Sequence, residues 1–150
     1  MQTVWLTGAE WAAVLRIGLG VWWLESWRHK DRKGWFERGT GIAWAAGIAD
    51  AHRWQAVRTG FEKIVAPRPK AMAYIVVHAE LALGLGLVSG FLTPIALVGG
   101  LLLNLLYFVL MIHDWAEQGQ NAMMALISFV TLFAMSWQTW SLDSAFGLFL

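Results

Sequence analysis

Four polar residues interrupt otherwise apolar runs of this chain: Arg16, Glu80, Asn104 and Thr131. Their types suit chemistry. A carboxylate accepts a proton, a guanidinium holds an anion or a carbonyl oxygen, and an amide and a hydroxyl complete a hydrogen-bonded wall. A charge left unpaired in hydrocarbon costs about 2.5–3.5 kcal/mol on insertion scales. The least costly arrangement therefore faces Arg16 toward Glu80 inside a helical bundle, with Asn104 and Thr131 satisfying the remaining donors and acceptors. Two readings follow, and they are compatible. The pair is a structural clasp, or the clasp also walls a cavity in which Glu80 takes a proton and Arg16 holds an anion or carbonyl. His78, two residues before Glu80, has the chemistry of a haem or chlorophyll ligand. A bis-histidine haem needs a facing histidine at similar depth, and His113 lies at a rim, so His78 reads as a hydrogen-bonded packing residue.

These residues must be positioned by membrane elements. The chain has 150 residues, of which 58% are hydrophobic and 14% charged; soluble domains carry about 25% charge. Four segments, about 9–27, 71–91, 94–113 and 122–140, are long enough to cross a hydrocarbon core of ~30 Å. The expected fold is an all-α, integral membrane four-helix bundle in one domain. Thr7 to Glu10 fits a capping box before the first helix, and Thr93-Pro94 fits an N-cap followed by proline at N1. Arg16 is the first basic residue and no A-x-A site follows, so the first apolar segment is expected to be retained rather than cleaved.

Helical rise converts spacing into depth. Counted inward from Arg28, Lys70, His113 and Asn121, the polar residues lie at about 18, 15, 14 and 15 Å respectively. One mid-membrane layer is the expectation.

The interfacial segment 28–70 holds ten of the eleven Lys and Arg residues. The positive-inside rule places it in the cytoplasm of a cell inner membrane, with both termini outside. Trp5, Trp11, Trp137 and Trp140 then fall near the outer interface, and Trp22, Trp23, Trp27 and Trp115 near the inner one. Within the segment, Trp54, Val57, Phe61 and Ile64 recur as one face of a basic amphipathic helix. It suits docking at the membrane surface, or a substrate lid. Residues 39–49 are apolar but too short to span, which suits a re-entrant or surface helix.

Other chemistry is excluded or weak. No cysteine is present, which removes disulfides, thiolate nucleophiles, iron–sulfur ligation and c-type haem attachment. A net charge of +1 creates no bulk attraction for nucleic acid. There is no metal-ligand motif, catalytic triad or phosphate loop. His113, Asp114 and Glu117 form a small acidic turn, which is read as solvated rather than as a cation site. Ala82, Gly86 and Gly90 form a small-xxx-small row that predicts close helix packing.

The segment from Trp54 to Tyr107 resembles the central part of the DoxX family. The likeness rests on Pro67, Glu80, Gly84, Gly86, Thr93 and Asn104, in that order. "LRIGLGVWWLESWRHK", with Arg16, resembles the family's first span. "WAEQGQNAMMALI", with Trp115 and Asn121, resembles its last turn and span, and "SLD", ending at Asp143, its usual finish. The resemblance implies a four-helix membrane protein. The family includes the DoxD-like small subunit of thiosulfate:quinone oxidoreductase, which works with a second subunit. The expectation is a membrane subunit of a redox complex that shapes a quinone or lipid site between helices. Arg16, Glu80 and Asn104 would stand in the wall, and His78 would orient a carbonyl. Without cysteines, redox work would use quinone or another bound carrier. The alternative is an accessory subunit packed on a larger respiratory or photosynthetic complex, contacting lipid or pigment. A small transporter is a third reading.

Overall fold

The computed structural model describes residues 5–149. All regular structure among them is helical. α1 spans Gly8–His29, α2 Thr40–Asp50, α3 Gln55–Gly60, α4 Pro69–Ser89, α5 Thr93–Leu110, α6 Trp115–Phe133 and α7 Leu142–Ala145. Short π-helical turns cover Gly34–Arg38 and Phe61–Val65, and a 3₁₀ turn covers Ser136–Gln138.

The helix boundaries have local causes. Thr7 accepts a hydrogen bond from the Glu10 amide at 3.3 Å, and the Glu10 carboxylate accepts one from the Thr7 amide at 2.7 Å. This reciprocal capping box starts α1. Prolines open α4 and α5, where a missing N–H costs nothing. Gly90 ends α4 in the left-handed region, at φ 68°, where a side chain would be strained.

The fourth expected span is displaced. α6 begins seven residues before 122 and ends seven before 140. At its start the Asp114 carboxylate caps the helix, accepting from the amides of Ala116 and Glu117 at 3.1 and 3.2 Å. Glu117, Gln118 and Gln120, read as a turn, are ordinary helical residues. At its end, carbonyls of Ser136, Thr139 and Trp140 turn toward the Arg16 guanidinium. Those acceptors are spent on a side chain rather than on continued helix.

α4 and α5 are long and apolar enough to cross a membrane, with mean hydropathy of 1.8 and 2.0 over their most apolar windows. α1 carries Glu10, Arg16, Glu25 and Arg28, and α6 opens on polar residues, so neither is as apolar. α1 runs antiparallel to α4, and α5 to α6. The main core joins Leu19 and Trp23 of α1, Leu83 and Leu87 of α4, Leu97 of α5 and Met124 of α6. Trp23, expected at the inner interface, is thus a core residue. Trp22 and Trp115 are exposed.

Close approach of α1 and α4 depends on two glycines. A methyl group at Gly20 would lie 2.8 Å from the Val88 backbone nitrogen, and one at Gly84 would lie 3.0 Å from the Leu24 nitrogen. The expected Ala82–Gly86–Gly90 row does not make this contact. Residues 84 and 86 are two positions apart, which is about 200° around a helix. Ala82 is exposed, a methyl group at Gly86 would lie 3.5 Å from the Ala96 side chain of α5, and Gly90 serves as the helix cap.

Segment 28–70 folds back onto the bundle. Val57 and Phe61 pack on Ala49, Leu110 and Met111, while Trp54 and Ile64, of the same predicted face, stay exposed. Buried His52 holds the junction. Its Nε2 donates to the Val109 carbonyl at 2.9 Å, and its Nδ1 accepts from the Trp54 amide at 3.0 Å.

Candidate functional site

Glu80 is buried on the face of α4 that meets α1, which explains its neighbours. Its carboxylate forms an ion pair with Lys30, just past the end of α1. The Ser26 hydroxyl donates to the same oxygen at 3.3 Å. Lys30 also donates to the Ser26 hydroxyl at 3.0 Å and lies 5.2 Å from the centroid of the Trp35 ring. Tyr107 of α5 brings its phenol within interaction range of the carboxylate. Glu80 is thus surrounded by one cation and two hydroxyls.

Arg16 is not part of this group, and the expected Arg16–Glu80 clasp does not form. Arg16 Nη1 donates to the Ser136 carbonyl at 2.9 Å, and Nη2 to the Trp140 carbonyl at 2.7 Å. The antiparallel register explains the separation. Ser26 lies opposite Glu80, Leu24 beside Gly84, Gly20 beside Val88, and Arg16 beside Gly90. Ten residues of α4 therefore separate the two sites, about 15 Å. The depth estimate placed Arg28 and Lys70 at one level. Instead α4 begins about 12 Å beyond the point where Lys30 leaves α1, and segment 28–70 packs beside that extension.

At the Arg16 end, buried Asp143 accepts from the amides of Leu92 and Thr93, each at 2.7 Å. It satisfies orphan donors at the start of α5 and supplies a favourable Coulombic interaction to Arg16. Charge and counter-charge thus fasten the C-terminal turn to the bundle.

The other expected site residues separate as well. Asn104 is fully buried, as is Thr131. The Thr131 hydroxyl donates back to the Ile127 carbonyl at 2.7 Å, so it serves its own helix. His78 faces outward. Two residues from Glu80, it sits about 200° around α4, stacked with Tyr74 and Phe36 at centroid distances of 5.8 Å each. Its Nδ1 donates to the Tyr74 carbonyl at 2.8 Å. His78 cannot orient a group bound at Glu80. Asp114 of the acidic turn is occupied as a helix cap, and no cluster of three metal-ligating side chains occurs among the described residues.

Two recesses flank the Glu80 group. The larger, about 760 Å³, is an open, nearly wholly apolar groove between α4 and α5. Ala82, Gly86, Ala96 and Gly99 keep it wide, and Leu102 and Leu106 wall it. Its inner end, at Ala79 and Leu106, adjoins Glu80 and Tyr107 in sequence. The smaller, about 410 Å³, lies between α1 and α6 and is bounded by Trp22, Glu25, Ser26, His29 and Gln120. Ser26 joins it to the Glu80 carboxylate.

Lys30, Ser26, Tyr107 and His52 were not legible as site residues. One signal existed: Ser26 and Lys30 are four apart, hence neighbours on one helical face. No family model, curated protein or solved structure matches the chain.

Proposed function

We propose that the chain is a DoxX-like integral membrane subunit of a redox complex that shapes a quinone or lipid site between α4 and α5. In this reading α1, α4, α5 and α6 all cross the inner membrane. Segment 28–70 lies at the cytoplasmic face and both termini lie outside. The many large apolar side chains on the outer surface, such as Ile75, Leu85, Ile95, Leu102 and Phe133, support a hydrocarbon surrounding, because exposed apolar area of this extent is costly in water.

The observation that carries the reading is the placement of Glu80. A buried carboxylate held by Lys30 directly follows Ala79, a lining residue of a long apolar groove, and faces α1. The groove suits an isoprenoid or acyl tail. The Tyr107 phenol and Glu80 offer a hydrogen-bond donor and a proton acceptor near where a head group would lie. Arg16 is spent on the C-terminal turn; Glu80 and Asn104 are buried one residue away from the groove-lining Ala79 and Leu103 rather than lining the groove themselves.

The test is quinone-linked turnover of the chain with its co-purified partner subunit. Glu80→Gln keeps the shape and removes the charge. The expected result is lower turnover with assembly retained; unchanged turnover in an assembled complex removes Glu80 from the mechanism. A second reading, the accessory subunit, draws on the small residues of the groove, which also suit a partner's helix. A stoichiometric large complex without bound quinone would favour it.

A further inference from the structure

The centre of the bundle contains polar groups that no atom of the described residues satisfies. Asn104 is fully buried, and neither its amide nitrogen nor its amide oxygen has a protein partner. The Trp23 indole N–H, equally enclosed, also lacks one. They are neighbours. Trp23 Nε1 lies 3.5 Å, and the Ser128 oxygen 3.8 Å, from where a methyl group on Gly100 would stand. Asn104 is one turn further along the same face of α5, with its side chain more than 4 Å from that spot. Ser128 donates to the Met124 carbonyl at 2.9 Å, leaving its own oxygen free to accept. Leu83, Leu87, Leu97 and Met124 close the surroundings.

A buried polar atom without a partner has lost its hydrogen bonds to water with nothing in exchange, a net destabilisation. Three such atoms, one on Trp23 beside Gly100 and two on Asn104 one helical turn away, are not accounted for by packing. Two apolar substitutions, at Trp23 and Asn104, would have removed the cost.

We propose that Trp23, Asn104 and Ser128 form an internal site for one neutral oxygen atom, which accepts hydrogen bonds from the Trp23 indole and the Asn104 amide. The site holds no charge, so an anion or cation would enter uncompensated. Gly100 is small because the oxygen sits against it. Two sources supply that chemistry. One is an internal water, which needs two to four polar partners and finds them here. The other is the carbonyl of an amphiphile lying in the α4–α5 groove, whose floor at Leu83 and Leu103 is one side chain away. The inference does not rest on Glu80 taking part in redox chemistry, and its test is separate.

The test uses the full chain in lipid nanodiscs, with ¹⁵N-labelled indoles observed by NMR. Trp23→Phe assigns the Trp23 signal by its loss. A cross-peak from Trp23 N–H to water that survives addition of a short-tailed benzoquinone identifies water as the source. A shift of the Trp23 signal on titration with that quinone identifies a carbonyl. No water cross-peak and no shift means a dry site and overturns the proposal. Asn104→Leu gives an independent reading. Losing an occupied site lowers the melting temperature by about 2–4 °C. A rise in melting temperature would mean the amide was merely unpaired, and would overturn the proposal as well.

Discussion

Replacing Lys30 by methionine leaves the Glu80 carboxylate buried without its cation. The Glu80 side chain is 2% exposed and that of Lys30 14%, so solvent screens the pair poorly. Removing one partner of a buried ion pair costs about 3–5 kcal/mol. One feature reduces that here: the Ser26 hydroxyl at 3.3 Å still donates to the carboxylate. The expected loss for Lys30→Met is therefore about 2–3 kcal/mol. Adding Glu80→Gln removes the stranded charge, so the double variant should lose only about 1 kcal/mol. The assay is reversible unfolding in mixed micelles across the full cycle of wild type, two singles and the double. The reasoning is refuted if the double variant is as unstable as Lys30→Met alone. The same cycle between Arg16→Met and Glu80→Gln should be additive within about 0.5 kcal/mol, because the sites share no partner; a strong coupling there would restore the clasp that the register excludes.

Other substitutions test other contacts. Asp143→Asn weakens the cap on α5 and removes the acid near Arg16; a loss of about 1–2 kcal/mol is expected in the same unfolding assay. Gly84→Ala forces a methyl group to 3.0 Å from the Leu24 nitrogen, and should cost about 1–3 kcal/mol by parting α1 and α4. Gly18→Ala, with open space around it, should instead stabilise by about 0.5–1 kcal/mol; equal effects at the two glycines would contradict the packing described. Thiol labelling of a cysteine placed near the C-terminus should report the outer face in intact cells, and protection there would reverse the proposed orientation.

Much of the local structure was written in the sequence. Thr7 with Glu10 marks the start of α1 through backbone chemistry that a sequence displays directly, and Pro94 the start of α5, although Leu92 rather than Thr93 is its N-cap; Gly90, read as a packing residue, is the C-cap of α4. What lay beyond it was the register between helices. Arg16 takes carbonyl oxygens of Ser136, Thr139 and Trp140 as partners, and a backbone acceptor carries no residue identity to read. Lys30 sits just past the first span and was counted with the solvated basic segment, although a buried acid needed a cation. His78 and Glu80 were grouped because they are two residues apart, yet that spacing puts them on opposite sides of a helix. The Asn104 depth was estimated well enough to predict burial, but its neighbour Trp23 was assigned to the interface because indoles favour that level. Packing of Leu19, Leu83 and Met124 around it decided otherwise.

The central claim is that the α4–α5 groove holds the tail of a quinone or lipid with its head toward Glu80. Native mass spectrometry of the gently purified protein reads this directly. The account predicts one retained amphiphile per chain, lost in Gly99→Leu, whose side chain would fill the groove. Full retention in that variant, or a chain that carries no amphiphile at all, would contradict it.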